Sequence, residues 1–208
     1  MRSVGLTATL LLTFALGAAE DADLTAPGLD GKPVAPFKLD ASKGQKAAVL
    51  IFIQHECPIA NAYAPEIKRL CEAYAAKGFV FYAVHVDPDL NASEAKKHAG
   101  SFSLVCAVLL DDKHALAKRA GVKVAPEAAV IAPEGKILYR GRIDDLFAAY
   151  GKKRAEPTSR DLRNALDAIA AGQDVPVAET QAVGCPIESF KRGDEPRRHG
   201  DTEKGKEK

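Results

Sequence analysis

Residues 47–54 (AAVLIFIQ) are an apolar run with no polar alternation, bounded by Lys46 before it and by the polar His55-Glu56 after it. A strand with one wet face alternates apolar and polar side chains. An unbroken run of this length therefore predicts a central strand buried on both faces. Residues 79–86 and 104–110 repeat the pattern. Helical signals lie between these runs. In residues 58–77, Tyr63, Ile67, Leu70, Cys71 and Tyr74 recur on one face and Gly78 stops the helix; Pro65 kinks it or marks its true start. Asn91-x-x-Glu94 resembles a capping box and opens a helix over 91–100, and residues 113–120 form another, closed by Gly121. Residues 128–131 and 136–140 pair as a hairpin across Pro133-Glu134-Gly135. Thr158-x-x-Asp161 starts a last amphipathic helix through Leu162, Leu166 and Ile169. A turn at Leu29-Asp30-Gly31-Lys32-Pro33 precedes the first strand. The order β-α-β-α-β-α-β-β-α is an α/β pattern with early parallel strands and a final antiparallel hairpin.

The chain has 208 residues, enough for one compact domain with additional segments. Hydrophobic residues make up 47%, which supports a sizeable core. Lys plus Arg number 29 against 28 Asp plus Glu, so no basic field exists to hold nucleic acid by counterion release. Residues 1–19 read as a signal peptide: Arg2 is basic, residues 4–16 are a short apolar stretch, and Gly17-Ala18-Ala19 place small residues at a cleavage site before Glu20. The stretch is too short to span a bilayer, no later run reaches membrane length, and no stable membrane association is expected. The expected address is periplasmic or secreted, an oxidising compartment. Residues 191–208 carry interspersed charge and almost nothing apolar, which predicts a disordered tail. The expected division is thus a signal peptide (1–19), a globular domain (20–176), a C-terminal extension carrying Cys185 (177–190) and a charged tail (191–208).

Four cysteines are too few for a disulfide scaffold at this length and enough for one redox site. Cys57 follows a buried strand and precedes Pro58, a favoured first residue of a helix. Unpaired backbone N–H groups and the positive end of a helix there favour a thiolate, as a protonated His55 would; Glu56 opposes it. A cysteine after an apolar strand is also compatible with an inert buried thiol. Cys185 lies among turn residues in Val183-Gly184-Cys185-Pro186, an exposed and mobile position from which a thiol could resolve a sulfenic acid or mixed disulfide on Cys57. A static bridge or a lone thiol is the alternative. Cys71 and Cys106 read as small buried hydrophobes. His98 and His114 read as helix-surface residues. His55 and His85, with Cys57 and Cys185, are the only soft-metal donors near one another in the pattern, and they lack paired ligand spacing; no metal or other cofactor is expected. Phosphate-binding glycine loops and Ser-His-Asp elbows are absent from the sequence.

The stretch Phe52-Ile53-Gln54-His55-Glu56-Cys57-Pro58-Ile59-Ala60-Asn61-Ala62-Tyr63-Ala64-Pro65-Glu66 resembles the active-site loop and first helix of the redoxin, or peroxiredoxin-like (AhpC-TSA-type), branch of the thioredoxin superfamily. Val124-Ala125-Pro126-Glu127-Ala128 is similar to that superfamily's cis-proline loop. Tyr139-Arg140-Gly141-Arg142-Ile143-Asp144-Asp145 and Ala182-Val183-Gly184-Cys185-Pro186-Ile187 are similar to later motifs of its bacterial exported members. The resemblance implies a thioredoxin fold, a central mixed sheet flanked by helices on both faces. It also implies thiol-based redox chemistry on Cys57, with Pro126, Pro58 and His55 shaping the groove for a substrate. The sequence departs from the family at several points. Gln54 and Ala60 stand where a local dithiol would put its second cysteine, and Asn61 stands where copper-delivering relatives have theirs. Gln54 and Leu50 replace the Thr or Ser and the Pro that accompany a peroxide-attacking thiol, and Pro126 falls at the position of its arginine; Arg140 or Arg142 is left as a substitute charge. The expected partner is a thiol or disulfide protein, or a small peroxide. Thiol-disulfide oxidoreductase or peroxiredoxin-like antioxidant activity is the leading reading. A copper-binding or chaperone module using Cys57 and His85, and a non-catalytic scaffold on the same fold, stay open.

Overall fold

The computed structural model describes residues 24–187. The signal-peptide and charged-tail segments lie outside the described residues. In chain order, β1 (Ala26–Pro27) and β2 (Pro33–Val34) pair across the turn expected at Gly31. β3 (Ala47–Ile53) leads through the Cys57 loop into α1 (Pro58–Ala62) and α2 (Ala64–Tyr74). β4 (Phe79–His85), α3 (Ala92–Ser101), β5 (Ala107–Leu110) and α4 (Ala115–Ala120) follow. β6 (Val124–Ala125), β7 (Glu127–Ile131), β8 (Ile137–Gly141), β9 (Phe147–Ala149), β10 (Lys152–Lys153), α5 (Asp161–Ala170) and β11 (Cys185–Pro186) complete the described chain.

The main sheet has the order β5-β4-β3-β7-β8. β3, β4 and β5 are parallel; β7 is antiparallel to β3, and β8 to β7. All seven residues of β3 are buried, as its unbroken apolar run requires. Side chains alternate across a strand. Val49, Ile51 and Ile53 therefore join Ile67, Leu70, Tyr74, Leu162 and Leu166 in the core under α2 and α5. Ala48, Leu50 and Phe52 pack on the other face with Phe37, Leu116, Ala117 and Ala120. The sheet is thus mixed and has helices on both faces, as expected. Truncating a fully buried residue such as Ile51 to alanine costs roughly 2–5 kcal/mol in such a core.

Local chemistry accounts for the ends. Pro65 sits in the first turn of α2, so the helical pattern over 58–77 is two helices broken at Tyr63 and finished by a 3-10 turn before Gly78. Asn91 accepts from Ser93 and Glu94 backbone N–H, while Glu94 accepts from the Asn91 N–H, completing the capping box. Three details differ from the sequence reading. The third apolar run is a strand only from Ala107, where pairing with Tyr82 of β4 begins; Leu104-Val105-Cys106 belong to a loop entered through Ser103, which has φ 52. The last helix starts at Asp161 with no side-chain cap, because Thr158 is turned to Asp145, its N–H donating at 2.6 Å. His114 is buried, in the left-handed conformation before α4, and donates from Nε2 to the Val86 carbonyl at 2.8 Å.

After α5 the chain returns along β8. Arg140 N–H donates to the Ala178 carbonyl at 2.9 Å, and Thr180 N–H to the Arg140 carbonyl at 3.0 Å. Thr180 Oγ1 meets the Tyr139 hydroxyl at 2.7 Å and accepts from Arg142 N–H at 3.1 Å. Gly141, at φ 145, makes this crossing possible: a Cβ there would lie 2.2 Å from Thr180 Oγ1 and 2.3 Å from the Thr180 carbonyl oxygen. The strap then turns toward the Cys57 end of the sheet.

Candidate active site

Three segments meet at Cys57. Cys57 is the extended residue capping α1, with Pro58 at the first helical position. Its backbone N–H closes a turn onto the Gln54 carbonyl at 3.2 Å, and its carbonyl accepts from Asn61 N–H at 3.0 Å. The side chain is 3% exposed. Its Sγ donates to the Ala125 carbonyl at 3.2 Å. The Ala125–Pro126 peptide is cis, so Pro126 occupies the loop position that the sequence motif indicated. Glu127 holds the approach to that loop, accepting from Lys123 N–H at 2.8 Å and Val124 N–H at 3.3 Å.

The third segment is the strap. β11 pairs antiparallel with β6, Cys185 opposite Ala125 and Pro186 opposite Val124, and Ile187 N–H donates to the Lys123 carbonyl at 2.9 Å. Cys185 is therefore half-buried and stitched into a two-stranded pairing, where the sequence suggested an exposed, mobile position. Gly184 lets it dock: a Cβ there would sit 2.3 Å from the Ala125 carbonyl oxygen and 2.9 Å from Pro126 N. Cys57 Sγ donates to the carbonyl of Ala125, the residue that Cys185 pairs with, so the strap sets the two thiols as neighbours. Burial and the neighbouring Cys57 push the Cys185 thiol up to about 11, against which Tyr150 acts in the opposite sense. The structure thus brings Cys57, Cys185, Pro58 and Pro126 together.

His55 flanks this cluster and faces Asp87. Its backbone N–H donates to Asp87 Oδ2 at 3.1 Å, and its Nδ1 lies 3.0 Å from Oδ1. His85 Nδ1 meets the same carboxylate at 3.2 Å. Burial works to raise the Asp87 carboxyl, but the His85 and His55 hydrogen bonds outweigh it and hold the group below its usual value. Asn61 donates to the His55 carbonyl at 2.9 Å, which leaves its Oδ1 to accept from His98 Nε2 at 2.8 Å. The His98 ring stands edge-on to His85, centroids 4.9 Å apart. His98 is thus half-buried inside this network, not a surface residue of α3. Burial, then the charges of His85 and His55, lower it to about 4.

Several candidates lie elsewhere. Arg140 is tied to Glu179 and to the Gly121 carbonyl, and Arg142 to Asp161 at 2.7 Å, so both are occupied away from the thiols. Glu56 is exposed, 3.7 Å from His55 Nε2. Among the described residues no three His, Cys, Asp or Glu side chains are placed to hold a metal ion. Cys71 is buried, as expected, but Cys106 is half-buried; the neighbouring Cys106 thiol and burial push the Cys71 thiol up. Sequence reasoning missed Tyr150, Glu127 and the Asp87–His55–His85–Asn61–His98 network. Only the Asp87 link had a local signal, two residues after His85.

A mixed sheet with helices on both faces, a cysteine at the start of the first helix and a cis-proline facing it define a thioredoxin-fold protein with a redoxin-type thiol site. The AhpC/TSA family profile matches residues 18–140, and the chain belongs to that family. Cys57 lies inside the matched region and Cys185 beyond it. An uncharacterized conserved protein of Geobacillus kaustophilus is similar in structure at 25% identity, TM-score 0.67, over 82% of this chain and 89% of that one. A hypothetical protein of Sinorhizobium meliloti matches at 23% identity, TM-score 0.68, over 83% and 93%. A secreted disulfide oxidoreductase of Mycobacterium tuberculosis matches at 21% identity, TM-score 0.50, over 72% and 98%. These likenesses establish the thioredoxin fold. No curated protein matches the sequence.

Proposed function

We propose that this protein is an exported thiol-disulfide oxidoreductase in which Cys57 is the attacking thiol and Cys185 the resolving one. The observation that carries the reading is the placement of both cysteines against the cis-proline loop, Cys57 Sγ on the Ala125 carbonyl and Cys185 paired opposite Ala125. Cys57 attacks one sulfur of a partner's disulfide, and the partner's other sulfur leaves as a thiolate. Cys185 then loses its proton and attacks the Cys57 sulfur. The partner's second thiolate leaves, and a Cys57–Cys185 disulfide stays on the enzyme; an external dithiol resets it. The dithiol spans the length of the domain in sequence, which explains why no local two-cysteine motif surrounds Cys57. Pro126 and Pro58 line the groove for the partner's extended backbone, and the Tyr150 ring, 69% exposed beside Cys185, offers an apolar contact. His55, fixed by Asp87, borders the groove.

Exchange is favoured over peroxide reduction because Arg140 and Arg142 are engaged elsewhere. The division into a redoxin domain (20–176) and an extension (177–190) is kept in this proposal, with the extension supplying the second thiol. Export rests on residues 1–19 and agrees with a persistent disulfide. Cys185→Ser tests the mechanism. The variant is expected to attack a model disulfide at the wild-type rate and then accumulate a mixed disulfide on Cys57, visible by intact-mass spectrometry, with turnover reduced ~10–100-fold. Unchanged turnover with the same reductant would remove Cys185 from the reaction.

A further inference from the structure

We propose that the strap is autoinhibitory: its β11 sits on the backbone edge of β6 that an extended segment of a partner protein takes, so Cys57 exchanges with a partner only while the strap is undocked. The inference rests on the thiol-exchange reading of Cys57 and adds how a partner reaches it. β11 is the only strand paired with β6 among the described residues. It runs antiparallel, Cys185 opposite Ala125 and Pro186 opposite Val124, and the Ile187 N–H closes the pairing on the Lys123 carbonyl at 2.9 Å. The Ala125 carbonyl on this edge also receives the Cys57 thiol. Gly184 lies against it, so close that a Cβ would fall 2.5 Å from the carbonyl carbon and 2.9 Å from Pro126 N. An extended, cysteine-bearing segment thus already lies across the cis-proline loop, and it comes from this chain.

The docked strand is weakly held. The pairing is two residues long, and Pro186 has no N–H to give to it. Val183 and Cys185 only partly enter the core under α2 and α5, Ile187 partly enters the core on the other face, and Pro186 is exposed. Segments with so few buried contacts open at a small fraction of the cost of unfolding the domain. Upstream, Ala178 and Thr180 stay tied to Arg140 of β8, so the following residues open as a flap with a fixed base. The edge beneath keeps its shape without the strap, because the Glu127 carboxylate takes the Lys123 and Val124 N–H groups. Undocking therefore bares a preformed strand edge beside Cys57, a surface to which an extended peptide adds by main-chain pairing.

The competition for this edge couples opening to chemistry. With the strap away, a partner segment bearing a disulfide, R–S–S–R′, pairs with β6, and the Cys57 thiolate attacks the sulfur of R. R′–S⁻ leaves and takes a proton, and R stays as a Cys57–S–S–R mixed disulfide. The returning strap displaces the partner from the edge and delivers Cys185, whose thiolate attacks the Cys57 sulfur and expels R–S⁻, which is protonated in turn. The two cysteines lose two electrons and two protons; the partner's disulfide becomes two thiols. One segment both blocks the first step and drives the second.

The test measures the first attack alone, in the full chain with Cys185→Ser. The probe is a synthetic peptide with the sequence of residues 182–187 whose cysteine is joined to thionitrobenzoate. Attack by Cys57 on the peptide sulfur releases the coloured thionitrobenzoate, and the same chain with Cys57→Ser gives the background from Cys71 and Cys106. Adding Gly184→Ala lifts the strap. The expected result is attack ~10-fold faster, since a site that is open part of the time reacts in proportion to its open fraction. A peptide carrying Gly184→Val, whose side chain meets the Ala125 carbonyl, should lose most of that gain. Unchanged attack in the lifted chain would overturn the proposal. So would an equal gain with both peptides, which would make the strap a cover over Cys57 and no occupant of a partner's edge. If Gly184→Ala prevents folding, Ile187→Ala takes its place: it removes one partly buried contact at the strap's end, with a gain of roughly 3-fold expected. No reaction of Cys57 above background with either peptide or with oxidised glutathione, in any variant, would sink the exchange reading itself and this proposal with it.

Discussion

Cys57 and Cys185 meet where three irregular segments converge: a helix cap, a cis-proline loop and a strap that crosses the sheet edge. Cys71 lies on a regular helix and Cys106 just before a regular strand, both in the core under α2. Both pairs put one thiol deep and one half-buried. They differ in what holds the outer thiol. Cys185 depends on backbone hydrogen bonds of β11 and on a glycine packed against the Ala125 carbonyl. Cys106 sits in the short loop after α3, where Phe102, Ser103 and Leu104 N–H groups donate to the His98, Gly100 and Ala99 carbonyls. A pair on loops can open to admit a macromolecular partner, since such segments sit at the low end of local stability. Cys71, on a packed helix, has no such freedom. The first arrangement suits exchange with other proteins, and the second keeps its deep thiol out of reach.

The largest expected difference between the two regions comes from Gly184→Ala. The new methyl meets the Ala125 carbonyl carbon at 2.5 Å as well as its oxygen, and backbone cannot swing aside as a flexible side chain can. Relief of overpacking of about 1–3 kcal/mol displaces β11 from β6. Formation of the Cys57–Cys185 disulfide should slow by ~10-fold or more, because each 1.4 kcal/mol lost from the docked state is a factor of ten. Stopped-flow alkylation after a pulse of oxidant measures it. Cys71 should stay as protected from alkylation as in the wild type in the same sample. Loss of that protection would mean that the strap supports the whole fold and not the active-site pair alone.

The same contrast explains what the sequence disclosed. Cys57, Pro58 and Pro126 were readable because each sits in a local pattern: an apolar run ending in a cysteine, then proline, and later a Val-Ala-Pro-Glu loop. The sheet was readable because strands covered on both faces must be apolar throughout. Cys185 could be placed on the strap but not at its destination, since its docking depends on Thr180, Gly141 and Gly184 meeting groups far away in the chain. Helical periodicity placed Cys71 on a buried face. Periodicity reports burial and never the identity of the neighbour, so Cys106 stayed an apolar residue of a strand. The histidine network is hidden for a related reason: His55, His85 and His98 come from three different elements, and no spacing along one of them brings them together.

That network gives an intermediate effect with a defined sign. His98 lies near 4 in the folded protein and near 6.5 when unfolded, so between these values the unfolded chain binds the extra proton. Stability from this group is complete above pH 6.5 and is lost as pH falls toward 4. The size is about 1–3 kcal/mol after discounting for its partial exposure. Urea unfolding at pH 7.5 and 4.5 should show this loss in the wild type and a smaller one in His98→Gln. Asn61 joins His98 to the His55 carbonyl, so acid should expose Cys57 to alkylation before it exposes Cys71. Simultaneous exposure would show that the network braces the core as much as the site.

The smallest effect is expected from Tyr150→Phe. The ring is 69% exposed, so removing its hydroxyl should leave unfolding free energy within about 0.5 kcal/mol. The hydroxyl nonetheless opposes the burial and the neighbouring Cys57 that push the Cys185 thiol up to about 11. Without it Cys185 is harder to ionise, and the step that needs its thiolate slows. The first attack, by Cys57, has no such dependence. A mixed disulfide made in advance on Cys57 should therefore resolve ~2–5-fold more slowly at pH 8 in the variant, with the pH profile of resolution displaced upward. The rate of the initial attack should match the wild type. An unmoved pH profile with slowed resolution would make Tyr150 a packing contact only. A slowed first attack would place its hydroxyl on the Cys57 side of the pair, and the division of roles between the two thiols would have to be redrawn.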